Sequence, residues 1–312
     1  MKTILVLGGS GFIGDALCHA LVDTYRIICA DLVCKSSLQG HDNYSFIPMD
    51  FVHTNDFSPL LQGVDIVCHF ICTTVPRNGT DQLLGEIEAN VMPTLRLLEA
   101  MERMKIKDIV FLSSAGTVYG DSKTVNTISS PIAPLCGYGV QKVMIEQYLA
   151  LYRHYHDFNA KVIRLSNPYG IEQDAEKIQG VIPIFIRRLL NDQSIKVYGD
   201  TNRDYVYMDD VILGIVKVIE YQGNEAVFQL CYGQSYKLSH VIKLIEQYAG
   251  RTFRSIEYES CRQCDVPDVF LDALTTSKVL GWSAKTSIEE GIALVFECIS
   301  KETAYSLLND AM

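Results

Sequence analysis

A short apolar run, Lys2–Leu7, passes directly into Gly8-Gly9-Ser10-Gly11-Phe12-Ile13-Gly14 and then into a helix-length stretch, Phe12–Leu21. Few sequence features restrict a fold as tightly. A strand, a glycine turn and a helix in this order require a tight reversal, close approach to the backbone and close helix–strand contact, which residues lacking a Cβ permit. Two spacings coexist, Gly9-x-Gly11-x-x-Gly14 and Gly8-x-x-Gly11-x-x-Gly14. Both suit a pyrophosphate seated on a helix N-terminus, so Gly8, Gly11, Phe12, Ile13 and Gly14 are candidate cofactor contacts. Asp31 closes the next strand-like run, Arg26–Asp31, 22 residues after Gly9. A carboxylate there is placed to accept hydrogen bonds from an adenosine ribose. It also selects the cofactor: a 2′-phosphate beside Asp31 would bring like charges together, and Asp31-Leu32-Val33 supplies no arginine, so NAD is expected over NADP. Asp50-Phe51, after the third run, could bracket the adenine or be an ordinary strand end.

The spacing predicts further strands over Ser45–Met49, Val64–Phe70, Ile109–Ser113 and Lys161–Ser166, with helices over Ile87–Met104 and Gly139–His156. Strands without polar alternation are buried on both faces, as in a parallel sheet covered by helices. After Asn167 the pattern is broken by Pro168, Gly170, Gly180 and Pro183. The expected architecture is α/β: a Rossmann-type doubly wound parallel sheet with a smaller mixed α/β C-terminal substrate lobe. Residues 1–166 form the NAD-binding domain, joined by late sheet elements from the second half, and residues 167–312 form mainly the second lobe, interleaved with it.

Charge narrows the partners. With 27 Lys and Arg against 37 Asp and Glu, a net charge of −10, no broad surface for a nucleic-acid backbone is expected, and a bound anion must be held by local groups. The longest apolar runs, such as Ile4-Leu5-Val6-Leu7, fall far short of the roughly 18 residues a membrane span needs, and Gly8 cuts the first run too early for an export signal. A cytoplasmic protein is expected, without a membrane partner. Most of the ten cysteines lie in apolar stretches, as at Cys29, Cys68, Cys231 and Cys298, and read as reduced, packed thiols. Cys261 and Cys264 form the one Cys-x-x-Cys, with no second ligand pair, so no metal is expected.

Chemistry concentrates at Tyr138-Gly139-Val140-Gln141-Lys142. Four residues apart on a helix, phenol and ammonium share a face. A cation there lowers the phenol pKa from about 10 toward the working pH of a general base. The pair follows Phe111-Leu112-Ser113-Ser114 and Thr117-Val118-Tyr119-Gly120. With the glycine turn, these motifs resemble the extended short-chain dehydrogenase/reductase superfamily, in its NAD-dependent nucleotide-sugar epimerase/dehydratase group. The resemblance covers nearly the whole chain and takes in Asn90-Val91, Ser166-Asn167-Pro168-Tyr169-Gly170, Arg203-Asp204-Tyr205-Val206-Tyr207-Met208-Asp209-Asp210 and Leu280-Gly281-Trp282.

The resemblance implies that Tyr138 and Lys142 act on substrate and cofactor, with Asn90 on the cofactor side. It implies that Asn167, Arg203 and Arg262 grip the diphosphate of a nucleotide sugar and that Asp265 holds its ribose. In an acidic protein, focused arginines suit that task; a salt bridge from Arg203 to Asp204 is the competing reading. Gln179, Val181 and Tyr198 fall in segments that could frame a pyrimidine or simply pack loops. A homodimer is implied, paired through the helices carrying the Tyr-x-x-x-Lys element. One departure stands out. Where similar 4-epimerases carry Ser or Thr, this chain has Ala115, so the hydroxyl beside the reacting oxygen must come from Ser114, Thr117 or elsewhere, with Ser114 preferred. Gly116-Thr117 also lacks the acidic residues of dehydratases and decarboxylases. The expected activity is NAD-dependent 4-epimerisation of a UDP-hexose; the alternative is NAD(P)H-dependent reduction of a dTDP- or other nucleotide-linked 4-keto-6-deoxy sugar.

Overall fold

A computed structural model describes residues 1–75, 83–171 and 180–310. In chain order the first half contains β1 (Thr3–Leu7), α1 (Phe12–Leu21), β2 (Arg26–Asp31), β3 (Tyr44–Pro48), β4 (Ile66–His69), α2 (Leu83–Glu86), α3 (Met92–Arg103), β5 (Asp108–Ser114), α4 (Ala115–Val118), α5 (Gly137–His156) and β6 (Asn159–Leu165). One π-helical turn, Ile87–Val91, joins α2 to α3. There follow β7 (Asn167–Tyr169), α6 (Val181–Leu190), β8 (Ile195–Tyr198), β9 (Asn202–Tyr207), α7 (Met208–Glu220), β10 (Val227–Leu230), β11 (Ser235–Lys237), α8 (Leu238–Ala249), β12 (Ile256–Glu259), α9 (Leu274–Leu280) and α10 (Ile288–Asp310).

Seven strands form one parallel sheet in the order β3-β2-β1-β4-β5-β6-β10. The pleat of β1 shows why its sequence has no polar alternation. Ile4 and Val6 enter the core beneath α1 and α7, whereas Leu5 and Leu7 enter the core beneath α3 and α5. Both faces are therefore buried, as a helix-covered parallel sheet requires. The chain runs outward from β1 to β3 and then crosses back to β4, so the strand order reverses between β1 and β4. At such a switch point the loops beyond the carboxyl ends part and leave a crevice.

The second lobe has its own core around Ile182, Ile186, Val197 and Ile292. It carries a three-stranded sheet, β11-β9-β7, a parallel pair, β12-β8, and helices α6, α8 and α10. Two motifs from the sequence seat this lobe. Trp282 donates its indole N–H to the Asp210 carbonyl at 3.1 Å, and the Asp210 carboxylate accepts the N–H groups of Lys285 and Thr286 at 2.9 and 2.8 Å. A third motif is a buried polar network. Arg164 in β6 forks onto Glu146 in α5 and reaches the Tyr119 hydroxyl at 3.1 Å, while Tyr119 donates to Gln229 in β10 at 2.6 Å. Among the described residues no helix is long and apolar enough to cross a membrane, and no group of three His, Cys, Asp or Glu side chains could hold a metal ion. All ten cysteines are free of disulfides.

Candidate active site

The glycine turn meets its steric demands residue by residue. Gly8 has φ +82°, and a Cβ there would lie 2.8 Å from the Ile71 nitrogen; one on Gly14 would lie 2.1 Å from the Gly8 carbonyl oxygen. Any other side chain would separate α1 from the turn. No side chain caps α1, so its first amides face the crevice, where an anion is favoured. Asp31, at the carboxyl end of β2, accepts the Ser10 and Leu32 N–H groups at 3.1 and 2.8 Å and so stands beside the turn. This donor set and backbone cradle fit a dinucleotide.

From this turn a continuous cleft of about 1520 Å³ runs between the lobes. Gly8, Gly11, Phe12, Ile13 and Gly14 line one end. The middle is lined by Ser114, Tyr138 and Lys142 on one lobe and by Asn167 on the other. At the far end stand Val181, Tyr198, Arg203, Arg262 and Asp265. Helix α5 begins two residues earlier than the pattern suggests, which places Tyr138 in its first turn at the cleft edge. Lys142, a turn deeper, is buried; its ammonium donates to the Leu112 carbonyl at 2.8 Å and lies 5.6 Å from the Tyr138 ring centroid. The phenol is not lowered as the helix spacing predicted: burial pushes Tyr138 well above its usual range, with Cys72 and Cys136 adding to the effect, and an ammonium 5.6 Å from the ring does not offset it.

Arg203 does not pair with Asp204. Neighbours on a strand point to opposite faces, and the Asp204 carboxylate is fully buried, accepting the Ser166 hydroxyl at 2.6 Å and the Tyr232 and Gly233 N–H groups at 3.0 and 2.6 Å. Arg203 instead donates one nitrogen to the carbonyls of Asn202 and Pro267, at 2.9 and 3.2 Å. Burial lowers its pKa. The Arg262 guanidinium stacks 4.0 Å above the Tyr198 ring.

The model of the NAD dependent epimerase/dehydratase family matches residues 4–231. The chain belongs to this family. A UDP-glucose 4-epimerase of Mycolicibacterium smegmatis is 29% identical over 309 residues, covering 95% of this chain and 98% of that protein. A dTDP-4-dehydro-6-deoxyglucose reductase of Escherichia coli is 27% identical over 307 residues, covering 95% and 97%. The crystal structure of a UDP-glucose 4-epimerase from Thermotoga maritima with UDP-glucose superimposes with a TM-score of 0.89 at 27% identity, covering 97% of this chain and all of that one.

In this member of the epimerase/dehydratase family, five candidates stand back from the cleft lining. Asp50 accepts from Val52 and from the His53 ring at 3.0 and 2.9 Å, closing its own turn. The Phe51 side chain is 2% exposed and packs on Phe57 and His69 within the core. Asn90 is buried in the π-helical turn, and Thr117 is buried with its hydroxyl 3.5 Å from the Ser114 carbonyl. Asp31 lies beside the turn as described above. Gln179 lies outside the described residues. Sequence reasoning missed Cys72, Thr74 and Val75, which line the cleft beside Tyr138. Their signal was positional: they follow the strand next to the switch point, where ligand-facing loops emerge.

Proposed function

We propose that this chain is an NAD-dependent UDP-hexose 4-epimerase. The observation that carries the reading is the single cleft joining the glycine turn, the Tyr138–Lys142 pair and the two arginines, Arg203 and Arg262. A nucleotide sugar anchored by its diphosphate at the arginine end would present its hexose to Tyr138. Bound NAD would supply reversible hydride acceptance at C4. Tyr138, as its phenolate, would accept the proton of the C4 hydroxyl and give it back to the same oxygen at the end of the cycle. Burial opposes loss of the phenolic proton, and Lys142, fixed by the Leu112 carbonyl, is the cation placed to work against that burial. Asn167 and Ser114, on the two walls between these ends, are placed to orient the sugar, and Asp31 to hold the cofactor ribose.

Ala115 favours one alternative, the 4-keto-sugar reductase. It is 2% exposed in an apolar cluster with Val118 and Val266, so it offers no hydroxyl to the sugar. An epimerase keeps its reduced cofactor until the same sugar has turned, whereas a reductase exchanges it each cycle. Incubation with UDP-hexoses and UDP-N-acetylhexosamines without added cofactor should yield the C4 epimer. Stoichiometric NAD(P)H loss with dTDP-4-keto-6-deoxyglucose, and no epimer from any UDP-sugar, would establish the reductase instead.

A homodimer and a cytoplasmic location belong to the same proposal. Val140, Leu151 and Tyr155 lie exposed along α5, and Leu84 and Met92 are exposed on the neighbouring α2 and α3, an apolar stripe suited to helix pairing between two copies. The ten free cysteines suit a reducing compartment.

A further inference from the structure

The segment that carries Arg262 and Asp265, residues 261–272, is an arm attached on two sides. Strands β9 and β11 hold it to the second lobe. Val269 donates its N–H to the Asn202 carbonyl at 3.1 Å, Arg203 donates to the Pro267 carbonyl at 3.2 Å, and the Ser235 hydroxyl donates to the Val269 carbonyl. The end of the arm is held to the first lobe. There Asn126 donates its N–H to the Phe270 carbonyl at 2.8 Å, and Asp272 donates its own to the Asn126 carbonyl at 2.9 Å. The carbonyls of Asn126 and Asp272 both accept from the Nε2 of Gln229 in β10, at 2.9 and 3.0 Å.

The polarity of this joint is fixed. Arg164 has no acceptor atom, so it donates to the Tyr119 hydroxyl at 3.1 Å, and the phenolic proton is left for the Gln229 Oε1 at 2.6 Å. That sets the amide the one way round in which its two N–H groups meet the two carbonyls. Gln229 has no exposed surface, and Tyr119 and Asn126 are buried, so a lost member leaves a buried group unpaired. Tyr119 also directly follows α4, the helix that opens at Ser114, and packs with Ala115 and Val118 against Val266, Val269 and Leu271 of the arm. Neither Tyr119 nor Gln229 lines the cleft.

We infer that Tyr119, acting through Gln229, is a positioning residue that sets the register between the arm and the wall carrying Ser114 and Tyr138. This rests on the reading in which Arg203 and Arg262 hold the diphosphate while the hexose meets Tyr138. A substrate gripped on one lobe and transformed on the other is aligned only as well as the lobes are. UDP needs the arm and β9, whose mutual bonds do not involve Tyr119, and NAD needs the glycine turn. Alignment of the hexose needs the joint, and a displacement on the order of 1 Å costs up to about a hundredfold in rate.

Tyr119→Phe removes the hydroxyl and keeps the ring. It should lower kcat for a UDP-hexose by at least about tenfold, with the Kd of UDP and of NAD each within about twofold of the parent. Gln229→Glu, nearly isosteric, turns an oxygen onto two carbonyls that only accept, and should give the same split. Hydrogen exchange followed by mass spectrometry reads the joint directly. In Tyr119→Phe the amides of Asn126 and Asp272 should exchange faster, while that of Val269, bonded to β9, keeps the parent's rate. Unchanged kcat in Tyr119→Phe, unchanged exchange at Asn126 and Asp272, or parallel loss of kcat and of UDP and NAD affinity would overturn the inference. Should the parent turn over no UDP-hexose, the epimerase reading falls by itself, and the joint is judged on exchange. Selective acceleration at Asn126 and Asp272 would then sustain the inference, and uniform or absent acceleration would overturn it.

Discussion

Asp204 offers a quantitative test of how the two lobes are held together. Its carboxyl has no exposed surface and ties β9 to Ser166 and to the backbone at Tyr232 and Gly233. Desolvation outweighs these donors and raises its pKa from 3.8 to about 6. Because the folded pKa exceeds the unfolded one, the native state favours the protonated acid. The stability contributed is complete below about pH 4 and is lost as pH rises through about 6. A shift of about two units corresponds to about 3 kcal/mol. Asp204→Asn is nearly isosteric and neutral at every pH, so this loss vanishes in the variant. Its amide must face donors that the carboxylate accepted, which adds a pH-independent cost and leaves the slope untouched. The stability of Asp204→Asn relative to the parent should therefore rise by about 3 kcal/mol between pH 4 and 7.5, then level off. Urea unfolding of both proteins, followed by circular dichroism across that range, measures the difference directly. A flat or falling difference curve would refute the reasoning, because it would mean that the buried donors stabilise the carboxylate fully.

Tyr138→Phe should lower kcat for epimerisation by at least about a hundredfold while NAD affinity, measured by titration, stays near that of the parent; full activity would remove Tyr138 from the chemistry. Arg203→Ala should weaken UDP binding by about 1.5–3 kcal/mol, and isothermal titration showing no loss would leave Arg203 as a brace for the carbonyls of Asn202 and Pro267. Ser114→Ala should slow turnover more than Thr117→Val, since Ser114 lines the cleft and Thr117 is buried against the Ser114 carbonyl; the reverse order in steady-state assays would show that the hydroxyl opposite the sugar is the wrong one.

Local sterics made the first βαβ unit legible in the sequence. A turn in which a Cβ at Gly14 would strike the Gly8 carbonyl can be written only with glycine, and β1, buried on both faces with no polar partner for its side chains, is written with apolar residues at Ile4, Leu5, Val6 and Leu7. The four-residue spacing of Tyr138 and Lys142 needed only the helical period to share a face. The tertiary structure decided what depends on residues far apart in the chain. Sequence adjacency suggested that Arg203 and Asp204 could pair, but the pleat sends them to opposite faces and Ser166 takes the carboxylate. Phe51 followed a strand end like a ligand contact, yet its side chain fills the core beside Phe57. The joint of Tyr119 and Asn126 on Gln229 links residues separated by up to 110 positions. No period or spacing announces such a contact, because hydrogen-bond direction is fixed only when the packed strands and loops bring donor and acceptor within reach.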